Sequence, residues 1–385
     1  MIRLLLLSCV MLCLAALWIG LFETERVEVA APLRDASAIA LAVIGDSDSH
    51  SYQDSYSFPA SGDARGGAHK RSSLQWVEAL NRLRGSQLDL GEWGVYGYRR
   101  LLLRAGRVVG LSLRAPRKED FRYNFASSGN GCNDLLGGAS QVLRLVELMD
   151  GDPVRWRTGV VVIRIGINTF GDADELDALA QDARAPATQG RINGCIDSIQ
   201  RSLALLHSRH PGLRIVLVGI FNDAHWAPYL DRWQSPVALS NIDAGLDVFD
   251  DALRRMARSD PRIAFFDDRA WFVEHWGGRD ERGMPAYRDL MIGSLRVGNT
   301  VGDEPHNAVL ADGHAGTAWN ACWAQSMVTL LNSRFGLGLA PITDAEVATL
   351  VEVGLPGHGG QRPRPAVIPS PADQKLDRPV ASVNR

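Results

Sequence analysis

The stretch "GDSDSH", Gly45–His50, sets two serines, two carboxylates and an imidazole directly after the apolar run Leu41–Ile44. A serine hydroxyl is a weak nucleophile at its own pKa and needs a base within hydrogen-bond reach. It also needs donors aimed at the developing oxyanion. Ser47, two residues past the run, is the candidate nucleophile. Gly129 in "SSGNG" can offer an N–H with no side chain in the way, and Asn168 in "GINT" can offer a side-chain amide. His314 in "ADGHAGTAWN" supplies a base, and Asp312 is the carboxylate placed to orient it. Together these groups would attack an ester carbonyl. Asp46 reads as a turn carboxylate, and His50 as a pocket-lining or solvent-facing residue.

The elements that must position these groups alternate. "IALAVIGDS" (39–47), "GVVVIRIGIN" (159–168), "LRIVLVGIF" (213–221) and "RIAFFDD" (262–268) read as buried strands. "QLDLGEWG" (87–94) reads as a weaker strand, and "YNFASSG" (123–129) as a strand entering a glycine turn. Apolar residues at helical spacing predict helices over 72–85, 133–151, 192–212, 241–261 and 316–336. Val- and Ile-rich strands without polar alternation, separated by helices, predict a parallel sheet covered on both faces. In such sheets ligands bind beyond the carboxyl ends of the strands. "GDSDSH", "SSGNGCND" and "GINTFGD" all fall at such ends.

In order and spacing, these blocks resemble the SGNH family of GDSL-type hydrolases over most of residues 39–336. "GDS" at 45–47 is similar to the family's first block, "NFASSGNG" at 124–131 to its second, "GIN" at 166–168 to its third and "DGHAGT" at 312–317 to its last. The resemblance implies an α/β fold, a three-layer α/β/α sandwich with a flavodoxin-like, mostly parallel sheet. It implies Ser47 as nucleophile, His314 as base, Gly129 and Asn168 as oxyanion donors, and no cofactor or metal. The departures are Asp48 in place of leucine, Thr169 in place of the third block's Asp, and a long polar loop over 50–71. In the family the acid lies three residues before the histidine, whereas Asp312 lies two before His314. A separate "DEPH", Asp303–His306, has the family spacing, so the acid stays open between Asp312 and Asp303. The loop after His306 lacks the helix entry that follows His314.

Two other function classes remain beside an esterase. Asp48-x-His50 has the form used by two-metal phosphoesterases, with Asn168, Asp223, His225 and His314 as further ligands. A non-catalytic exported binding module on a hydrolase-like fold is the third. The resemblance covers lipases, thioesterases and carbohydrate deacetylases, so the expected partner is a small-molecule or glycan ester, with hydrolysis and acyl transfer both open. Trp226, Trp233, Trp271 and Trp276 are candidates for stacking on sugar rings.

The chain has 385 residues, 46% hydrophobic and 22% charged, with a net charge of −3. That balance, without a basic aromatic cluster, argues against nucleic acid as a partner. Arg3 precedes an uncharged apolar run, Leu4–Phe22, whose length of roughly 28 Å approaches a bilayer core. Glu23, Glu25 and Glu28 follow it. Residues 1–31 therefore read as a signal peptide or a membrane anchor placing the catalytic part outside the cytoplasm, periplasmic or secreted. Residues 32–345 read as the catalytic domain and 356–385 as a Pro-rich disordered tail. Of five cysteines, Cys132, Cys195 and Cys322 lie in that domain. Their spacing suits no metal site, and they read mostly as buried small hydrophobes with at least one free thiol.

Overall fold

The computed structural model describes residues 37–59, 65–98, 114 and 116–352. The apolar run at 4–22 and the tail from 356 lie outside the described residues. Five strands form one parallel sheet: β1 (Ile39–Gly45), β2 (Leu88–Asp89), β5 (Val160–Arg164), β6 (Arg214–Val218) and β7 (Ile263–Phe266). Their spatial order is β2-β1-β5-β6-β7. Within the sheet this is second, first, third, fourth, fifth along the chain, the flavodoxin-like order.

The helices are α1 (Trp76–Arg84), α2 (Gln141–Asp150), α3 (Pro153–Trp156), α4 (Ala173–Gln181), α5 (Pro186–Arg209), α6 (Pro236–Ser259), α7 (Asp268–Trp276), α8 (Thr317–Phe335) and α9 (Asp344–Glu352). Strand side chains alternate between two cores. Leu41, Val43, Val160, Val162, Val216 and Val218 pack with α1, α7, α8 and α9. Ala42, Ile44, Val161, Ile163, Ile215 and Leu217 pack with α2, α4, α5 and α6. Strands β1, β5, β6 and β7 are thus apolar on both faces, which is why the sequence shows unbroken runs there. The result is the three-layer α/β/α sandwich.

Local differences from the sequence reading have identifiable causes. α5 and α6 begin at Pro186 and Pro236, before the apolar periodicity starts, because proline suits the first helical position. Residues 123–129 do not form a regular strand. They run beside β1 through Val43 N–H to Tyr123 O (3.0 Å) and Phe125 N–H to Val43 O (2.8 Å), with one bridge at Asn124. Side chains then take over the backbone groups: Asn124 Oδ1 accepts from Ala126 N–H (3.0 Å), and the buried Lys118 ammonium donates to Ala126 O. Small strands outside the main sheet went unpredicted: β3 (Trp93–Tyr96) with β4 (Lys118–Phe121), β8 (Gly277–Arg279) with β9 (Pro285–Tyr287), and β10 (Leu290–Ile292), β11 (Leu295–Val301) and β12 (Asn307–Val309). Cys132 and Cys195 are not simple buried hydrophobes. They form a disulfide joining the turn before α2 to α5, while Cys322 is the buried free thiol of α8.

Candidate active site

The turn after β1 carries Ser47. Gln141, the first residue of α2, clamps Gly45 with both amide atoms: its Oε1 accepts from Gly45 N–H (2.9 Å) and its Nε2 donates to Gly45 O (2.8 Å). Beyond it, Asp46 Oδ1 accepts from Asp48 N–H at 3.0 Å, the turn role expected of it. Burial, with the charge of Asp48 added, pushes the Asp46 carboxyl up to about 8. Beneath the turn lies Arg164, at the end of β5. It donates to Asp48 O (3.0 Å) and to Asp268 Oδ2 (3.0 Å) and stacks on Trp323. The Ser47 turn is therefore bolted to α2, β5 and α8. The Ser47 N–H has no partner among the described residues.

Asn168 sits in one turn of π-helix, Ile167–Gly171, directly after β5. Gly166 opens that turn at φ 143°, and a Cβ there would lie 3.0 Å from Ile220 and 3.1 Å from Phe170. Such π-turns recur at functional sites. Asn168 Nδ2 donates to Asn130 O at 2.9 Å, which fixes the amide plane and leaves its second N–H for a ligand. Thr169, where the resembled family has Asp, accepts from Cys132 N–H (3.0 Å) and so ties the same two loops.

His314 lies in the tight turn before α8. Gly313 adopts φ 82°, the left-handed conformation that a two-residue Asp-to-His spacing needs. Asp312 Oδ1 accepts the His314 backbone N–H (3.1 Å), and its Oδ2 lies 3.2 Å from Nδ1 without the alignment of a hydrogen bond. Burial alone would raise the Asp312 carboxyl, but the His314 contacts and Arg65 hold it below its usual value. Tyr52 Oη and Asn320 Nδ2 both donate to Ala315 O, at 2.8 and 3.0 Å, and Trp226 Nε1 donates to Gly313 O at 2.8 Å. The "DEPH" alternative is not built this way. His306 is exposed, and Asp303 accepts from Ala311 N–H (3.1 Å) instead of serving an imidazole.

Ser47, Asn168 and His314 line one cavity of about 260 Å³, together with Asp48, Arg164, Asp223, Trp226 and Tyr229. Gly129 and Asp312 are not among its lining residues. Gly129 is exposed on the neighbouring turn, and its N–H has no partner among the described residues. Of the four tryptophans considered for stacking, only Trp226 reaches the cavity; Trp233, Trp271 and Trp276 are buried in the cores. Asp223 faces the cavity wall, and burial with the charges of Asp48 and Asp172 raises its carboxyl well above the usual range.

Two residues that the sequence reading missed or misplaced are central. His50 neither lines the cavity nor meets solvent. It is buried, with Nε2 on Asp54 Oδ2 (2.9 Å) and Nδ1 on both Ser128 Oγ (3.0 Å) and Ser128 N–H (3.2 Å). Burial, reinforced by Lys118, holds the imidazole below its usual pKa. Both ring nitrogens are spent, so His50 has no lone pair to offer the ligand set of the Asp48-x-His50 reading. Among the described residues no group of three or more His, Cys, Asp or Glu side chains is arranged to hold a metal. The second residue is Arg65, whose Nη2 lies 3.0 Å from His314 Nε2 and 3.2 Å from Ser128 Oγ. Its only sequence signal is membership of the unusually long polar loop.

No protein-family model matches the chain, and no curated protein matches it. Solved structures of a lipase, a GDSL-like lipase and a phospholipase are similar to it. The extracellular lipase from Streptomyces rimosus shares 18% identity over 62% of this chain and 83% of its own, at a TM-score of 0.32. A GDSL-like lipase from Parabacteroides merdae shares 15% identity over 80% of this chain and 99% of its own, at 0.35. A phospholipase A1 from Streptomyces albidoflavus shares 13% identity over 62% and 83%, at 0.27. Likenesses this low in TM-score add no weight to the reading of the site.

Proposed function

We propose that the protein hydrolyses or transfers acyl esters through Ser47, with His314 as base. The observation that carries this is the convergence of Ser47, Asn168 and His314, from three separate turns, on the walls of one cavity. Ser47 Oγ attacks the ester carbonyl while His314 Nε2 takes its proton. Asp312 steadies the other ring nitrogen. The free N–H of Asn168, with the unpartnered N–H groups of Ser47 and Gly129, receives the oxyanion. His314 then returns the proton to the leaving alcohol, and water or a second alcohol releases the acyl group. No cofactor enters this scheme.

The cavity favours a small acyl group and an uncharged, hydroxyl-bearing alcohol such as an acetylated glycan. Its wall combines the aromatic faces of Trp226 and Tyr229 with the Asp223 carboxyl, whose pKa burial raises and which can hydrogen-bond a hydroxyl. The Cys132–Cys195 disulfide supports an oxidising, extracytoplasmic location, consistent with an export or anchor role for residues 1–31. Among the described residues no helix is long and apolar enough to cross a membrane. The test is an activity panel on the purified chain, from acetyl to long-chain esters plus acetylated polysaccharides, with and without EDTA. Short acetyl esters are expected to turn over in a Ser47-dependent, EDTA-insensitive way. EDTA-sensitive phosphoester cleavage that survives Ser47→Ala would replace this reading with the metal one.

A further inference from the structure

Arg65 takes the one lone pair that the proposed mechanism needs. A neutral imidazole with Nδ1–H toward Asp312 has a single acceptor site, at Nε2. Arginine is always a donor, and Arg65 Nη2 sits 3.0 Å from that nitrogen. Ser47 Oγ makes no hydrogen bond to His314 or to any other described side chain. The guanidinium is well held. It lies over the rings of Phe58 (4.2 Å) and Tyr52 (5.0 Å), donates to Ser128 Oγ (3.2 Å) and Ser47 O (3.4 Å), and its Nε is 3.6 Å from Asp312 Oδ2. It is 3% exposed.

We propose that Arg65 is a positioning residue that locks the base in the resting site, and that its side chain must leave His314 Nε2 before Ser47 can be activated. The inference rests on the reading of Ser47 and His314 as nucleophile and base. Ser128 Oγ, Ser47 O and Asp312 Oδ2 already lie 3.2–3.6 Å from the guanidinium, so these contacts remain to hold it when it releases Nε2. Once His314 accepts the Ser47 proton, two cations flank Asp312. Their repulsion reinforces the departure of Arg65 from the ring. The lock holds the nucleophile idle in an empty site, and a substrate that enters the cavity competes with it.

The test is the rate at which a small serine-directed phosphonate labels the intact protein. Arg65→Met keeps an apolar stem over Tyr52 and Phe58 but removes the donors, and Arg65→Gln keeps a polar tip. Both are expected to label about tenfold faster than wild type, equivalent to about 1.4 kcal/mol of barrier. Millimolar guanidinium added to Arg65→Met is expected to slow labelling again. In the wild-type protein, nitrogen NMR of the His314 ring is expected to show a protonated Nδ1 and a hydrogen-bonded acceptor Nε2 before labelling. Labelling of both variants at or below the wild-type rate, or an Nε2-protonated resting ring, would overturn the lock. Ser47→Ala in the same assay separates the two ideas: label uptake that ignores Ser47 brings down the hydrolase reading itself.

Discussion

Among the described residues two Asp–His–Ser sets lie side by side, and the second of them lines the cavity through Ser47 and His314. In the first, Asp54, His50 and Ser128 are joined by contacts of 2.9 and 3.0 Å, the better hydrogen-bond geometry of the two. In the second, Asp312 lies 3.2 Å from His314, and the imidazole reaches toward Arg65 instead of Ser47. Contact distances alone would favour the first set over the one proposed as catalytic. His50 is 1% exposed and Asp54 fully buried, with every ring lone pair and N–H spent. His314 is partly exposed and lines the cavity with Ser47. A saturated, buried imidazole is structural cement. A base must keep one lone pair that a substrate-bound nucleophile can claim. Ser128 and Arg65 link the two sets, so the buried one helps to set the position of the one proposed as catalytic.

The comparison breaks most visibly through the two histidines. His314→Ala is expected to lower kcat by several orders of magnitude at unchanged melting temperature, as Ser47→Ala does, and the double variant should lose little more. Steady-state kinetics with a simple acetyl ester, together with thermal melts, checks this. Next comes Asn168→Ala, expected to cost about 10²–10³ in kcat with a smaller change in KM, because its free N–H serves the transition state. A change confined to KM would reduce Asn168 to a substrate or turn residue. Asp312→Asn should cost less, on the order of tenfold, since its Oδ1 contact to the His314 N–H survives and Arg65 and Tyr52 still brace the turn. His306→Ala should stay within tenfold, and inactivity there would return the acid–base pair to Asp303 and His306.

His50 gives the opposite pattern. His50→Gln is expected to keep kcat within about tenfold while lowering stability by about 2–3 kcal/mol, because buried partners on Asp54 and Ser128 are left unsatisfied. The pH dependence sharpens this. The folded-state pKa of His50 is lowered from 6.5, chiefly by burial, and that of Asp54 is lowered below 3.8 despite its burial, through its bonds to His50 and neighbours. At His50 the unfolded chain therefore binds more protons on acidification, and this group's contribution to stability is lost as pH falls below about 6.5. Denaturant titrations from pH 7 to pH 5 should show the stability difference between wild type and His50→Gln narrowing as pH falls.

Much of this frame was legible in the sequence, for physical reasons. Strands apolar on both faces announce a covered parallel sheet, and polar chemistry at their carboxyl ends announces a pocket. The Asp312–Gly313–His314 turn was legible because only a residue free to adopt positive φ lets a carboxylate reach its second neighbour. What stayed hidden depends on long-range closure. Nothing local to Arg65 says that it arrives beside His314, 249 positions away in sequence. His50 looked like part of the mouth because it follows Ser47 by three residues. Only the fold turns it inward onto Asp54 and Ser128. The Cys132–Cys195 pairing likewise joins positions 63 apart, with no spacing signal to reveal it.

The most direct measurement is the site of covalent modification. The intact protein is treated with a serine-directed phosphonate and digested, and the adduct is located by mass spectrometry. The account predicts a single adduct on Ser47 that disappears in His314→Ala and persists in His50→Gln. An adduct on Ser128 that depends on His50, or no serine adduct in a protein that still cleaves esters, would contradict it.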